Sequence, residues 1–398
     1  GDCDAILDIR KGAFRFSVTG GQTPSIKGSA DFQNQVAVDN LARKLIPISI
    51  RALGQTNRIP SSVTLTQIYE AGRIEDIDLG MRWNRLPQAG LLPYPVNIGS
   101  ESLIQPLSID LAENHDGPHG IIAGTTGSGK SELLQTLVTA LAIEHHPYFV
   151  NFLLIDFKGE STFGVFRKLP HTVGMVSNLD KTGAIRALEA IRAENIRRQQ
   201  FLARHKVEDI TEYHQEISRK GKIPSDWEPL PHLLIIVDEF AQLAKDLPNF
   251  LPELVATVRV GRSLGLHLIL ATQRPAGVVT DEMRANLNFR ISLRVQTMDD
   301  SRDMLRRPDA ALLPPHLPGR AYFQLGDGGT PRLFQAARVG VEYIAKQTEE
   351  DTVEQDSVVY LRNQERQEFL SQPKKKTDEE KPDLLSDRLV DYMNRTYT

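Results

Sequence analysis

Cysteine is almost missing from this chain, which has a single one, Cys3, in 398 residues. One cysteine excludes an internal disulfide and is typical of a protein that folds in a reducing compartment. Long hydrophobic runs are missing too, because no stretch approaches the roughly 18 consecutive apolar residues of a membrane-spanning helix. Strong net charge is also lacking, since the formal charge is −4. This argues weakly against a surface that grips nucleic acid everywhere, but leaves a local basic pore open.

Several kinds of site are excluded by what the sequence does not contain. No group of histidine, cysteine and aspartate has the spacing of a structural zinc site. Neither a nucleophile elbow nor a cysteine–histidine pattern for covalent catalysis is present. No signal peptide is visible and the chain begins with Gly1 rather than methionine, so we expect a piece of something longer. The length suffices for two to three domains and a sizeable core.

The most informative feature that is present is the run from Gly124 to Ser131, Gly-Thr-Thr-Gly-Ser-Gly-Lys-Ser. An apolar run from His119 to Ala123 precedes it, and apolar residues at helical spacing follow it. Strand, glycine loop and helix in this order predict a loop whose backbone N–H groups surround phosphates. We expect Lys130 to contact the β- and γ-phosphates of ATP and Ser131 to bind Mg²⁺. The predicted nucleotide contacts are Gly124, Thr125, Thr126, Gly127, Ser128, Gly129, Lys130, Ser131 and Glu132.

A second motif predicts hydrolysis of the bound nucleotide. Leu233 to Val237 is an unbroken apolar run, typical of a strand buried on both faces of a parallel sheet, and it ends in Asp238 and Glu239. At the carboxyl end of that strand the two carboxylates would lie beside the phosphate loop. We expect Asp238 to bind Mg²⁺ and Glu239 to orient and deprotonate the attacking water. An acidic helix cap after a core strand is the alternative, and the loop at Gly124 argues against it.

A third buried strand ends in polar residues at Leu268 to Pro275. Gln273 there could hydrogen-bond the γ-phosphate or the water and so report the nucleotide state. Just upstream, Arg259 to Gly265 places arginines near a turn. In a ring of such modules one of these arginines, Arg262 in particular, could reach the phosphates of a neighbour. The alternative is a surface arginine paired locally with a carboxylate.

Three regions are predicted along the chain. Residues 1–100 are expected to form a small α/β region and an extended connector, with strand-like alternation over Ala5 to Val18 and an amphipathic helix over Asp31 to Leu45. Residues 101–340 are expected to form a mostly parallel sheet with helices on both faces. Its strands are predicted at 121–123, 149–156, 173–176, 233–237, 268–271, 289–295 and 320–325. Residues 341–398 are expected to be a charged linker with a short final helix.

One long helix is predicted over 182–205 in the central region. Ile185, Leu188, Ile191 and Phe201 are expected on its core side. Its arginines, Arg192, Arg197, Arg198 and Arg204, are expected to form a solvated face, with a partner surface as the alternative.

These motifs resemble the FtsK/SpoIIIE branch of RecA-like motor ATPases. The resemblance covers roughly residues 60–340, and it is carried by Asp238 to Ala241, Ala271 to Pro275 and Asp300 to Arg302. Within that branch, further runs resemble the ATPase modules of type VII secretion, the EccC/EssC proteins, and most of all the first module. These runs are Ser62 to Leu79, Gly117 to Gly120, Leu154 to Gly159, Leu169 to His171 and Gly261 to Gly265, together with Trp83 and Glu132.

The resemblance implies a P-loop RecA-like fold and a motor that binds ATP and Mg²⁺. It implies that Lys130 and Ser131 bind phosphate and metal, that Asp238 and Glu239 form the hydrolytic pair, and that Gln273 is a sensor. Arg262 matches an arginine finger that acts in trans, while Arg259 and Arg302 match less well. None of these residues is lost, so we expect a competent site.

The resemblance also implies partners and a location. The parent chain would be anchored at the cytoplasmic face of the cell membrane, would carry tandem ATPase modules and would help to export WXG100 proteins. A ring-type homo-oligomer, such as a hexamer, is expected in the full assembly. Two alternatives stay open: a DNA-translocating or conjugation-type coupling ATPase of the same branch, and a nucleotide-responsive assembly module with negligible turnover alone.

Overall fold

The computed structural model describes residues 5–10, 13–18, 26–29, 58–86, 95–102, 105–157, 162–177, 181–343 and 384–397. The chain divides into two units, Gly1–Gln55 and Thr56–Thr398. In the first unit, β1 (Ala5–Arg10), β2 (Ala13–Val18) and β3 (Ile26–Ser29) form an antiparallel sheet in that order. The alternation over Ala5 to Val18 is thus confirmed as a hairpin of β1 and β2. The helix predicted over Asp31 to Leu45 lies outside the described residues.

Parallel strands form the centre of the second unit, in the order β12-β7-β11-β10-β8-β9. Every residue of β7, β10, β11 and β12 is buried. Burial on both faces explains why these strands are continuous apolar runs in the sequence, and the predicted parallel sheet is confirmed. The strands are β7 (Gly120–Ala123), β8 (Val150–Asp156), β9 (Thr172–Ser177), β10 (His232–Asp238), β11 (Leu266–Thr272) and β12 (Phe289–Leu293).

An antiparallel extension continues the sheet beyond β12, in the order β13-β14-β5-β6. These strands are β5 (Val96–Ser102), β6 (Gln105–Ile109), β13 (Arg320–Leu325) and β14 (Arg332–Arg338). A two-residue strand, β4 (Val63–Thr64), pairs with β14 in parallel. Residues near 100 were expected to be a connector and a boundary, but β4 and β5 belong to the main sheet and the chain divides after Gln55 instead. The physical reason is a long-range pairing of β5 with β14, for which short-range patterns give no signal.

Helices cover both faces of the sheet. Alternate residues of one strand point to opposite faces: Leu234 and Ile236 join the apolar cluster of α3 and α10, whereas Ile235 and Val237 join that of α4, α5 and α7. Among the described helices, none combines the length and apolar character that crossing a bilayer requires. The helices are α1 (Leu65–Ile68), α2 (Leu79–Trp83), α3 (Lys130–Glu144), α4 (Lys181–His205), α5 (Ile210–Lys220), α6 (Phe240–Asp246), α7 (Phe250–Val260), α8 (Asp281–Asn286), α9 (Met298–Leu305) and α10 (Leu385–Tyr397).

The predicted faces of α4 need two corrections. Arg198 was expected on the solvated face but is 1% exposed. Its guanidinium is buried with partners, since Nε donates to Glu194 Oε1 at 2.7 Å and Nη1 donates to the carbonyl oxygen of Leu264 at 2.8 Å. Ile185 was expected in the core but is 52% exposed. The turn before β11 packs on α4 and supplies the polar partner that lets an arginine replace an apolar residue in this contact.

Candidate ATP-binding site

The predicted site residues converge on one edge of the parallel sheet. Register pairs Asp238 at the end of β10 with Asp156 at the end of β8, and Thr272 at the end of β11 with Ala123 at the end of β7. Because parallel strands run in the same direction, their carboxyl ends lie together. We call this side the carboxyl edge, and it carries the phosphate loop, the two acidic residues and Gln273.

The loop from Gly124 to Ser131 has the backbone that an anion cradle needs. Gly127 and Gly129 have φ of 77° and 97°, a region that side chains other than glycine rarely adopt. Gly129 is the N-cap residue of α3 and provides no side-chain cap, so the first-turn N–H groups of this helix lack the usual capping partner. A Cβ at Gly129 would also lie 2.7 Å from the backbone nitrogen of Gly319. The loop therefore fits a phosphate group at the positive end of α3.

Backbone hydrogen bonds fix the loop to three neighbouring segments. The N–H of Gly124 donates to the carbonyl of Thr272 at 3.1 Å, and the N–H of Thr125 donates to the carbonyl of Arg294 at 2.9 Å. The N–H of Gly319 donates to the carbonyl of Ser128 at 2.7 Å. These contacts come from the ends of β11 and β12 and from the approach to β13, so the loop is held before any ligand binds.

Lys130 and Asp238 form a buried ion pair at the bottom of the site. Their side chains are 4% and 1% exposed, and Nζ of Lys130 contacts Oδ1 of Asp238. The second oxygen of Asp238, Oδ2, accepts a hydrogen bond from the hydroxyl of Thr162 at 2.8 Å. A carboxylate this deeply buried requires such partners. The arrangement places a cation and an anion next to the phosphate loop in a region from which water is largely excluded.

The oxygen atoms beside the loop fit Mg²⁺. The Asp238 carboxylate and the Ser131 hydroxyl are hard oxygen donors of the kind that Mg²⁺ prefers. Thr162 Oγ1 lies 3.3 Å from Ser131 Oγ. Ser131 and Asp238, the two side chains that could bind Mg²⁺, therefore both contact Thr162. The described residues contain no group of three or more histidine, cysteine, aspartate or glutamate side chains able to bind a metal. A Mg²⁺ ion here would be bound by the Asp238 carboxylate and the Ser131 hydroxyl together with nucleotide phosphates and water.

Glu239 and Gln273 connect the end of β10 to the phosphate loop. Glu239 has φ of 58° and ψ of 48°, a left-handed backbone that costs a non-glycine residue about 1–3 kcal/mol and that is concentrated at functional sites. Its Oε1 accepts hydrogen bonds from the Thr272 hydroxyl at 3.1 Å and from the Gln273 N–H at 3.3 Å. The side-chain Oε1 of Gln273 accepts from the Thr126 hydroxyl at 3.0 Å. A continuous set of contacts thus joins Glu239 to the phosphate loop.

Glu132, a predicted nucleotide contact, has its carboxylate on another part of the chain. Its Oε1 accepts hydrogen bonds from the N–H groups of Val339 and Gly340, both at 2.5 Å. These residues follow β14, and the same segment pairs with the start of α10, because the Ser386 N–H donates to the Val339 carbonyl at 2.9 Å. Glu132 therefore links the first turn of α3 to the end of the sheet, and its contact with nucleotide stays a prediction.

Arg262 lies at the opposite side of the sheet, which we call the amino edge. It precedes β11, whose seven residues span about 20 Å between Arg262 and the phosphate loop. Its Nη1 is 3.3 Å from Oε1 of Glu113, so within one module it cannot contact the loop. Arg259 is exposed at the end of α7, and Arg302 is bound to Asp299 at 3.0 Å on α9. The structure thus separates Arg262 from its own site, as action in trans would require, and pairs it with a local carboxylate, as the alternative predicted.

A row of buried histidines at the amino edge escaped the sequence analysis. His267 Nδ1 lies 3.1 Å from the carbonyl of Pro118, His267 Nε2 lies 2.8 Å from His232 Nδ1, and His232 Nε2 lies 3.3 Å from His214 Nδ1. The carbonyl can only accept, so it assigns one neutral tautomer to each ring in turn. Burial lowers the pKa of His214 to about 3 and that of His267 to about 4, and it lowers the pKa of His232 well below its usual range.

Sequence comparisons find known proteins that are similar to this chain. The FtsK/SpoIIIE family model matches residues 82–277. The type VII secretion system protein EssC of Staphylococcus aureus is 40% identical over 362 residues, which are 90% of this chain and 24% of EssC. The ESX secretion system protein EccC of Geobacillus thermodenitrificans is 40% identical over 77% of this chain and 20% of its own length.

A solved structure gives the same match. The cytoplasmic domain of the type VII secretion ATPase EccC from Thermomonospora curvata has a TM-score of 0.63 and 36% identity, over 70% of this chain and 32% of that chain. The present chain spans less than a quarter of the length of either sequence relative. The predicted fold class and the assignment as a P-loop ATPase are confirmed, whereas the roles of the individual site residues stay predictions. The chain therefore carries a P-loop ATPase domain of the FtsK/SpoIIIE family, similar to those of the type VII secretion ATPases EssC and EccC.

Proposed function

We propose that this chain hydrolyses ATP with Mg²⁺ as one motor module of a type VII secretion system, where it drives or gates the export of WXG100-type proteins. One observation carries the proposal: this chain is 40% identical to EssC over 90% of the present sequence, and its parallel strands bring Lys130, Ser131, Asp238, Glu239 and Gln273 to one sheet edge. The relatives are several times longer, so the transport function belongs to the assembled protein and the chemistry to this module.

The side chains divide the chemistry among themselves. Lys130 supplies positive charge to the β- and γ-phosphates, and Ser131 and Asp238 bind Mg²⁺, which would neutralise phosphate charge. Glu239 orients the attacking water and takes its proton. Gln273 contacts the Thr126 hydroxyl at 3.0 Å and Glu239 through its own N–H, so it is placed to transmit a change at the phosphate loop to β11.

The assembly supplies what one module lacks. Arg262 is about 20 Å from its own phosphate loop, at the other end of β11. We propose that it contacts the nucleotide of a neighbouring module in a ring, such as a hexamer, built from tandem ATPase modules of a parent chain. That parent would be anchored at the cytoplasmic face of the cell membrane.

The proposal is tested by complementation. Altered forms of the full-length parent protein are expressed in cells that lack it, and export is measured. Lys130→Ala and Glu239→Gln should each abolish export while the parent protein accumulates to its normal level. Arg192→Gln, a change of an exposed residue on α4 that pairs with Glu253 on α7, should leave export intact. Normal export by both site variants would refute the motor role.

The DNA-translocase alternative makes a different prediction. A DNA motor should bind duplex DNA with an affinity that falls steeply with salt, because phosphate contacts release counterions. We expect no steep salt dependence for this protein. Tight duplex binding with a steep salt slope would favour the alternative over protein export.

A further inference from the structure

Thr162 is a buried residue outside both sequence motifs, yet its hydroxyl contacts a residue from each. Thr162 is only 2% exposed to solvent. Thr162 Oγ1 lies 2.8 Å from Asp238 Oδ2 and 3.3 Å from Ser131 Oγ. Asp238 ends β10 and Ser131 begins α3, so this one hydroxyl lies between the two residues proposed to bind Mg²⁺.

Hydrogen-bond accounting gives the contact a direction. A hydroxyl has one proton to donate, and an ionised carboxylate can only accept. Thr162 Oγ1 is the donor in both contacts, so its one proton is shared between Asp238 Oδ2 at 2.8 Å and Ser131 Oγ at 3.3 Å, and the shorter contact is to the carboxylate. Ser131 Oγ accepts this contact with one lone pair, which leaves its second lone pair available to a cation. Without Thr162, nothing in these contacts would orient the Ser131 hydroxyl.

The backbone of Thr162 is itself held from two sides. Its N–H donates to Oδ2 of Asp156 at 3.0 Å, at the end of β8. Its carbonyl accepts a hydrogen bond from Nε2 of Gln135 at 2.8 Å, and Gln135 lies one turn after Ser131 on α3. The hydroxyl is thus anchored to the same strand layer and the same helix as the two residues that it contacts. Outer partners of this kind fix the orientation of metal ligands.

We infer that Thr162 is a positioning residue for the cation site, which orients the Ser131 hydroxyl and the Asp238 carboxylate for Mg²⁺ through its side-chain hydroxyl. This inference rests on the proposed Mg²⁺-dependent ATP site. Thr162 acts through Ser131 and Asp238 and touches no reacting atom. Its loss should weaken the use of Mg²⁺ and spare nucleotide binding that does not depend on the metal.

The test is an equilibrium titration of a fluorescent ADP analogue on the full chain, with EDTA and then over a Mg²⁺ series. Thr162→Val removes the hydroxyl and keeps the shape. It should raise the Mg²⁺ concentration for half-maximal strengthening of binding about 10–100-fold, the usual effect of losing an outer-shell partner. The affinity in EDTA should stay the same, and Thr162→Ser should restore normal Mg²⁺ use.

Two further variants keep the test decisive. Thr139→Val removes another buried hydroxyl of α3, one that donates to the Gln135 carbonyl at 2.8 Å, and it should leave the Mg²⁺ series unchanged. Gln135→Leu frees the Thr162 carbonyl and should raise the Mg²⁺ requirement by a smaller factor, which covers the case in which Thr162→Val does not fold.

Failure of this inference and failure of the proposed function look different. If the unaltered protein binds nucleotide equally in EDTA and in Mg²⁺, the proposed cation site is wrong. If the unaltered protein depends on Mg²⁺ but Thr162→Val or Gln135→Leu gives the same series, the positioning role of Thr162 is wrong. Equal losses of affinity with and without Mg²⁺ would also overturn it, because they would indicate a structural role alone.

Discussion

The carboxyl edge and the amino edge of the same parallel sheet are built from opposite kinds of polar group. At the carboxyl edge, charged side chains are buried in contact, as in Lys130 and Asp238, and Glu239 has a left-handed backbone. At the amino edge, His214, His232 and His267 are buried as neutral rings in a hydrogen-bonded row. The first edge combines a buried ion pair with a strained backbone, whereas the histidine row of the second edge carries no charge. Charge and strain at one edge indicate where binding and chemistry take place.

The largest expected effect comes from Arg262, an amino-edge residue that we propose acts on the carboxyl edge of a neighbouring module. Arg262→Ala should fold and bind ATP normally but lose about 10³–10⁵ in turnover of the assembled protein, the usual effect of removing an arginine finger. Mixing it with Lys130→Ala should restore activity, because some interfaces then combine an intact loop with an intact arginine. The measurement is ATP hydrolysis by each variant and by their mixture, under conditions where association is demonstrated.

Two controls sharpen that experiment. Arg302→Ala, a change of an exposed arginine paired with Asp299, should retain most of the turnover. Glu113→Gln should leave hydrolysis in the assembly close to normal, because Glu113 only pairs with Arg262 within the module. Co-assembled but inactive mixtures of the two dead variants would mean that Arg262 does not act in trans.

Motifs that a buried parallel sheet requires could be predicted from the sequence. Three features were predictable because each follows an apolar run. They are the loop at Gly124, the pair Asp238–Glu239 and Gln273. The positive φ angles near 77° and 97° favour glycine, so these loop positions can also be recognised from the sequence. These features depend on local sequence, and the structure places them together as parallel strands demand.

Features that depend on distant partners could not be predicted. Thr162 belongs to no motif, and its position follows from contacts with Asp156 and Gln135. The row His214, His232 and His267 forms from residues far apart in the chain, and the burial of Arg198 depends on the turn before β11. The antiparallel extension through β5 and β14 joins the two ends of the module. In each case the sequence signal is spread over segments that only the fold brings together.

The neutral row of the amino edge predicts an acid-sensitive fold. Burial lowers the folded-state pKa of these histidines, to about 3 for His214 and about 4 for His267, whereas the unfolded value is about 6.5. Below pH 6.5 the unfolded chain therefore binds protons that the folded chain does not, and stability falls as the pH falls toward those folded values. Each such histidine should cost about 1 kcal/mol of unfolding free energy between pH 6.5 and 5.5.

Urea unfolding at several pH values measures this effect. His214→Phe should reduce the pH slope by the share of one histidine, while His316→Gln, at an exposed position, should leave the slope unchanged. A flat unfolding free energy from pH 6.5 to 5.5 would contradict the assignment of neutral, buried rings.

The most local expected effect concerns the link between the phosphate loop and the end of the sheet. Glu132→Ala removes the acceptor of the Val339 and Gly340 N–H groups and should raise their hydrogen exchange several-fold, at a cost of about 1–3 kcal/mol if both stay buried and unpaired. Glu132→Gln retains an acceptor oxygen and should be intermediate. Exchange rates equal to those of the unaltered protein would show that this contact does not hold the segment after β14.

The central claim is that the carboxyl edge is a working ATPase site in which binding and chemistry reside on different side chains. The most direct test measures ATP affinity and turnover together for Lys130→Ala and Glu239→Gln. Lys130→Ala should lose most of its ATP affinity, because the phosphates lose their main cationic partner. Glu239→Gln should bind ATP and Mg²⁺ normally and turn over ~10²–10⁴ times more slowly, the usual effect of losing a positioned general base. Undiminished ATP binding by Lys130→Ala, or undiminished turnover by Glu239→Gln, would contradict this account.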